Sequence, residues 1–333
     1  MKHLRLVTIG GGTGMSTMLR GLKNYTKNLT AIVTMADDGG GSGRLREDLG
    51  VLPPGDVRNC LVALATAEPM MEELFHYRFP CGMLRGQSVG NLIIAAMDGI
   101  CGSFEEAIRR VSEVLAISGR VLPVTTENIH ICASLSDGAQ VQGESRIGKA
   151  AAMHGCRISR VRLVPEAVGP ASDVLESIAA ADAIILGPGS LYTSILPNLL
   201  VEGVTNALRK TDAPKIYVCN VMGQPGETEG YTAFDHVQAI FDHGGEGCID
   251  YCIVNTEKIA ESVLARYAAD GVGPVFVDAE RFAEKGIGLI AAPLLSDGGE
   301  LARHNSDRLA ACIAEFLRNA VKTKTYTRKQ NKG

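Results

Sequence analysis

The chain reads as an α/β protein built on a Rossmann-like, doubly wound and mostly parallel sheet, with a helical elaboration and a small β-rich insertion. Three observations predict this. Apolar runs of strand length alternate with stretches of helical periodicity, as βαβ units require. The first run ends in a glycine cluster, Gly10-Gly11-Gly12-Thr13-Gly14. A second strand-to-helix junction, Gly187-Pro188-Gly189-Ser190, repeats that design far down the chain. With 333 residues, 46% hydrophobic and 21% charged, the composition is that of a folded globular protein, and it excludes disordered and collagen-like classes.

Taken in order, residues 4–9 form the first strand, and Met15, Met18, Leu19 and Leu22 set one face of the helix that follows. Residues 30–35 form the second strand. Residues 57–67, 88–101 and 104–117 have helical patterns and make up the elaboration. Residues 121–124, 129–135 and 157–164 read as short strands around turns such as Ser136-Asp137-Gly138, which places the insertion at roughly 121–165. The wound pattern resumes with strands at 183–186, 215–219 and 251–254, each leading into a helical stretch. A short strand from Val275, another at 286–292 and a helix at 306–320 complete a single domain expected over 1–320. Residues 321–333 carry Lys322, Lys324, Arg328, Lys329 and Lys332 with no acid, the makeup of a flexible basic tail.

Several function classes are excluded. Thirty-three Lys and Arg against thirty-seven Asp and Glu give a net charge of −4, no footprint for nucleic acid. Aromatic residues are 5% and Trp is absent, so stacking platforms are scarce and any ligand is held by backbone and polar groups. Arg5 interrupts the short apolar stretch at the N-terminus, and no apolar run approaches the ~18 residues of a membrane span, so a cytoplasmic protein is expected. The nine Cys include no Cys-x-x-Cys pair and read as small core residues; Cys248, Cys252 and His243 are set aside as a zinc clip. The seven His are dispersed, and no hydrolytic triad stands out.

The chemistry is expected at the loops that follow strands. Gly10, Gly11, Gly12, Thr13 and Gly14 let backbone N–H groups approach a phosphate at a helix N-terminus. Met15 stands where a dinucleotide fingerprint needs its third glycine, which counts against a nicotinamide-dependent oxidoreductase. After the second strand come Asp37-Asp38-Gly39 and a glycine-rich stretch to Arg44. The two carboxylates can accept from ribose hydroxyls, hold one Mg²⁺, or simply form an Asp-Gly turn, and Arg44 can fold over an anion. Asp56 is placed as an N-cap, with Arg58 and Asn59 behind it; a cation in a first helical turn needs an anion, either a ligand or Asp56 itself. Ser88 and Asn91 flank Gly90, which marks close packing or a ligand's approach. Gly187, Gly189, Ser190, Tyr192 and Thr193 form the second glycine turn and its hydroxyl-bearing first helical turn. Asn220 follows a further strand, and Arg303 can reach an anion if the last helix closes over the rim. In an open α/β sheet such loops share one edge, so they are expected to face one another.

Together, the loops at residues 10–14, 37–46, 54–59, 187–194 and 220–222 resemble the bacterial gluconeogenesis factor family, related to archaeal 2-phospho-L-lactate transferases, over roughly residues 4–320. The resemblance implies a Rossmann-like fold and a regulator that binds UDP-N-acetylglucosamine. It also implies a link to cell shape and peptidoglycan synthesis on gluconeogenic carbon sources, with a homo-oligomer and protein partners in cell-wall synthesis among its expectations. The transferase branch moves a phospholactyl group from a nucleoside diphosphate carrier to a deazaflavin with Mg²⁺; on that alternative Asp37 and Asp38 match the acidic pair at the reaction centre. Residues 187–193 and Asn220 match the nucleotide-binding side. Gln87 stands where the family often has His, and Gln does not titrate near neutrality.

Overall fold

The computed structural model describes residues 1–66 and 69–330. β1 (Leu6–Gly10) feeds α1 (Gly12–Leu22), and β2 (Leu29–Val33) follows. Five helices come next: α2 (Gly40–Leu49), α3 (Gly55–Leu64), α4 (Pro69–His76), α5 (Val89–Cys101) and α6 (Phe104–Val114). β3 (Arg120–Pro123) leads to β4 (His130–Leu135), β5 (Gln140–Gln142), α7 (Glu144–His154) and β6 (Ile158–Val164). α8 (Val174–Ala179) precedes β7 (Ala183–Leu186), a π-helical turn at Leu191–Ile195, α9 (Leu196–Leu199) and α10 (Val204–Lys210). The chain then runs through β8 (Lys215–Val218), α11 (Ala233–Gly244), β9 (Tyr251–Asn255), α12 (Glu261–Ala269) and α13 (Ala279–Glu284) to β10 (Gly288–Ala292) and α14 (Ser306–Gln330).

Seven strands form one parallel sheet in the order β10-β9-β8-β7-β1-β2-β3. Counted along the chain within that sheet the order is 3-2-1-4-5-6-7, the doubly wound order extended by one strand. Its central strands are mostly apolar because helices cover both faces: all of β1, β7 and β8 is buried. Met15, Met18, Leu19 and Leu22 of α1 are buried as their spacing predicts. α14 crosses α1 at Gly21, where a Cβ would stand 2.2 Å from the carbonyl oxygen of Ser306. Ser306 Oγ also donates to the Thr17 carbonyl at 2.8 Å. β5, β4 and β6 make a separate antiparallel sheet, and it delivers α7 to the carboxyl end of β2, where Asp38 Oδ1 accepts from the N–H of Ser145 at 2.8 Å.

The structure corrects four expectations. Residues 120–123 belong to the large sheet, paired with β2, so the antiparallel unit is narrower than 121–165 and contains α7. The glycine-rich stretch after Asp38 is no loop but α2, and Arg44 sits inside it with its guanidinium on the Arg85 carbonyl. Val275 starts no strand; isolated bridges join Pro274 to Met222 and Phe276 to Thr232. α14 continues to Gln330, so most of the expected tail is helix. Ala67, at the end of one expected helix, and residues 331–333 lie outside the described residues.

Candidate functional site

β1 pairs with β2 on one side and β7 on the other, and the chain leaves β1 and β7 in opposite directions across the sheet. That switch point opens a crevice at the strands' carboxyl ends. Both glycine turns lie in it and touch. A Cβ on Gly14 would come 2.6 Å from the Pro188 carbonyl oxygen, and one on Gly189 would come 3.3 Å from that of Gly11. Gly12 and Gly187 have φ of +69° and +79°, a region that glycine enters without steric cost. Asn220, beyond β8, donates from Nδ2 to the Gly189 carbonyl at 2.9 Å and ties a third loop to the pair.

Between these turns lies a cavity of about 290 Å³ lined by Thr13, Gly14, Gly189, Ser190, Asn220 and Arg303, all expected from sequence. Tyr267 and His304 line it too and were not anticipated. They arrive from α12 and the segment before α14, where the sequence singled out Arg303 but not its neighbour. Ser190 Oγ donates to Gln224 Oε1 at 2.7 Å, and Gln224 Nε2 donates to Glu227 Oε1 at 2.6 Å.

An acidic centre adjoins the first turn. Asp37 Oδ1 accepts from the Gly39 N–H at the start of α2, Asp38 caps α7, and Asp56 accepts from the Gly12 N–H at the start of α1. The residues preceding these helices are Gly39, Gly143 and Gly11, which carry no capping side chain. Carboxylates supplied from outside each take one N–H at these helix starts and meet the positive ends of the helix dipoles. Asp56 therefore does not cap its own helix, where Pro54 holds the N-cap position. Gly11 is required for that approach, since a Cβ there would stand 2.5 Å from Asp56 Oδ2.

Burial pushes Asp56 up to about 7, helped by the charge of Asp37 and opposed by the Gly12 N–H and Arg58. Burial also raises Glu144 to about 7, with Asp37, Asp38 and Asp56 adding repulsion. Glu227, buried in the wall, is raised to about 8 by desolvation and then by Glu144. Three weak acids thus run from the acidic centre to Gln224 and Ser190 at the cavity. Glu144 and Glu227 were not singled out from sequence, because nothing local distinguishes them from solvated acids.

Other expected residues are engaged elsewhere. Arg58 is 4% exposed and donates to Ser88 Oγ, to Asn91 Oδ1 at 2.9 Å and to Asn59 Oδ1 at 2.8 Å. This cluster ties α3 to α5; burial and then Arg78 lower the Arg58 guanidinium to about 10. Gly90 is explained by packing, since a Cβ would stand 2.7 Å from both Arg58 Cδ and the Phe75 carbonyl oxygen. Tyr192 points away from the cavity: its hydroxyl bonds the Tyr231 hydroxyl at 2.7 Å and the Ile158 carbonyl at 3.3 Å. Thr193 is buried beside it. Among the described residues no group of three or more His, Cys, Asp or Glu is arranged to hold a metal ion, and all nine cysteines are free.

A doubly wound sheet with a polar crevice at its switch point defines a class, and residues 6–295 match the family described as 2-phospho-L-lactate transferase CofD, to which the chain belongs. Within that class its relatives are gluconeogenesis factors. The chain is 48% identical to the gluconeogenesis factor of Halalkalibacterium halodurans over 95% of its own length and 97% of the relative's. It is 45% identical to that of Bacillus subtilis, covering 94% and 98%. A crystal structure of a Bacillus halodurans protein superposes with a TM-score of 0.90 at 47% identity, covering 94% of this chain and all of the other. No helix among the described residues is long and apolar enough to cross a membrane.

Proposed function

We propose that the chain binds a nucleoside diphosphate sugar, UDP-N-acetylglucosamine, in the crevice between the glycine turns, and acts as a cytoplasmic regulator without turnover. As the resemblance implies, it couples growth on gluconeogenic carbon to cell shape and peptidoglycan synthesis through protein partners. The observation that carries this is the contact between the turns at Gly14 and Pro188, beside a cavity with Arg303 at its edge. Backbone donors from a helix N-terminus and one guanidinium suit a diphosphate. Isothermal titration with UDP-N-acetylglucosamine tests it. Binding is expected, weakened about tenfold by Arg303→Ala, as loss of one charge-assisted hydrogen bond implies. Heat no different from dilution would sink the proposal.

A transferase reading is favoured by the acidic centre alone. Asp37 and Asp38 suit Mg²⁺, which commonly takes one or two carboxylates together with phosphate oxygens and water. Bound there, the ion would neutralise charge on a diphosphate. Asp56 and Glu144, both raised to about 7, are the groups able to take up a proton. Nucleotide release from the sugar nucleotide with Mg²⁺, abolished in Asp38→Asn at unchanged thermal midpoint, would establish turnover. No release across a panel of acceptors leaves the regulator.

A further inference from the structure

The outer surface of α4, α5 and the turn between them has no task in either reading. α5 is almost wholly apolar, with Asp98 its one charged residue, and such a helix is normally covered on both sides. Here only one side is. Gly90, Asn91, Ile94 and Ala95 are buried, and Arg58 of α3 donates to Asn91, whereas Ile93 and Met97 are half-buried and Ile100 is 78% exposed. α4 packs on α5 where Phe75 meets Gly90, and it repeats the pattern: Phe75 is buried, while Met70, Leu74 and Tyr77 face outward. Both outward sets have the spacing i, i+4, i+7 that lines one face of a helix. Residues 77–88 then fold back on themselves. The Phe79 N–H donates to the Gln87 carbonyl at 3.1 Å, and the Phe79 carbonyl accepts from Gly86 at 2.8 Å. The tip of this turn leaves Met83 fully exposed and Leu84 largely so.

At roughly 200 Å² for a fully exposed large side chain, Met70, Leu74, Tyr77, Met83, Leu84 and Ile100 together present about 750 Å². The largest apolar patch of a monomer is usually ~300–600 Å², whereas a standard interface buries ~800 Å² on each partner. The face therefore has the size of one protein partner's footprint. Its charges say which partner fits. Glu73 of α4 and Arg85 of the turn both stand exposed beside the apolar side chains, and neither has an ion pair among the described residues. A partner of one sign would set one of them against its like. Across a two-fold axis residue i meets j while j meets i, so the acid of each copy can lie against the base of the other. We propose that α4, α5 and the turn at 77–88 form a two-fold interface between two copies of this chain, with the apolar stripes of one copy buried on those of the other. The proposal is independent of the nucleotide reading. Arg44 of α2 donates to the Arg85 carbonyl, so the interface lies beside the helix whose start Asp37 meets.

Sedimentation equilibrium of the full chain over a dilution series tests this. A species of twice 35.3 kDa that dissociates on dilution is expected. Leu74→Glu and Ile100→Glu, one on each helix, are each expected to weaken association about a hundredfold, because a carboxylate is then desolvated among apolar side chains. Met83→Glu is expected to weaken it as well. Met83 is fully exposed, so this change leaves the fold intact even if the helix variants do not fold. Met153→Glu alters an equally prominent apolar side chain on α7, outside the face, and is expected to leave association unchanged. A species of 35.3 kDa at every concentration overturns the proposal, whatever other partner then covers the face. So does an association that none of the three variants on the face weakens, or one that Met153→Glu weakens as much as they do.

Discussion

Arg58 shows how a residue with a ligand-like signature is used to build the fold. A cation in a first helical turn looked uncompensated, yet its partners are Ser88, Asn91 and Asn59. Removing it leaves buried acceptors without donors, and Arg58→Ala is expected to lower stability by about 3 kcal/mol in denaturant unfolding. A loss below ~0.5 kcal/mol would show that the cluster is not structural. The raised carboxyls make a second prediction. Unfolded carboxyls titrate near ~4, whereas Asp56 and Glu144 are held at about 7 and Glu227 at about 8. The folded state retains protons that the unfolded chain releases, so their stabilising contribution is full below ~4 and lost as pH rises through 7 to 8. The thermal midpoint should therefore fall between about pH 5 and about pH 8 and level off above that, and Glu227→Gln should flatten the fall. A variant with an equal or steeper slope contradicts the assignment.

At the scale of elements, glycine is informative through close approach. α2 begins with glycines that reduce helix propensity by about 1 kcal/mol each, which is why the stretch looked like a loop. Its helix forms because Asp37 satisfies its start and because Gly43 sits where a Cβ would stand 2.1 Å from the Asp38 carbonyl oxygen. Periodicity registers neither condition. Gly14 plays the same part between the turns, and Gly14→Ala is expected to push the Pro188 turn away, cost about 1–3 kcal/mol and weaken nucleotide binding. Unfolding and titration on one sample check both effects; unchanged affinity would separate the turn from the site. The buried face of α1 and the bounds of β7, by contrast, were legible, since each carries an apolar pattern that nothing nonlocal overrides.

Across the whole molecule, the crevice joins the β1-β2-β3 half of the sheet to the β7-to-β10 half. A ligand there touches both halves and no equivalent surface of the unfolded chain. UDP-N-acetylglucosamine at a hundredfold over its dissociation constant should therefore raise the unfolding free energy by about 2.7 kcal/mol, and differential scanning calorimetry reads it as a higher midpoint. An unmoved midpoint at saturating ligand would mean that the folded chain does not bind it. The antiparallel sheet bears on the site as well, because β4 and β6 hold α7 where its N-terminus meets Asp38.

What the residues alone determined was local: the alternation of strands and helices, the buried face of α1, and the two glycine turns that parallel connectivity must bring to one edge. Those follow from short-range periodicity and from the chirality of βαβ crossovers, which leave few alternatives. Tertiary structure alone decided which acid meets which helix N-terminus, that Tyr192 turns to Tyr231 and away from the cavity, and that His304 reaches the cavity. These contacts join segments far apart in sequence, 107 residues in the case of Asp38 and Ser145. A carboxylate or an imidazole carries no local mark of the backbone group that will fold against it, so its role exists only once the sheet has brought the two together.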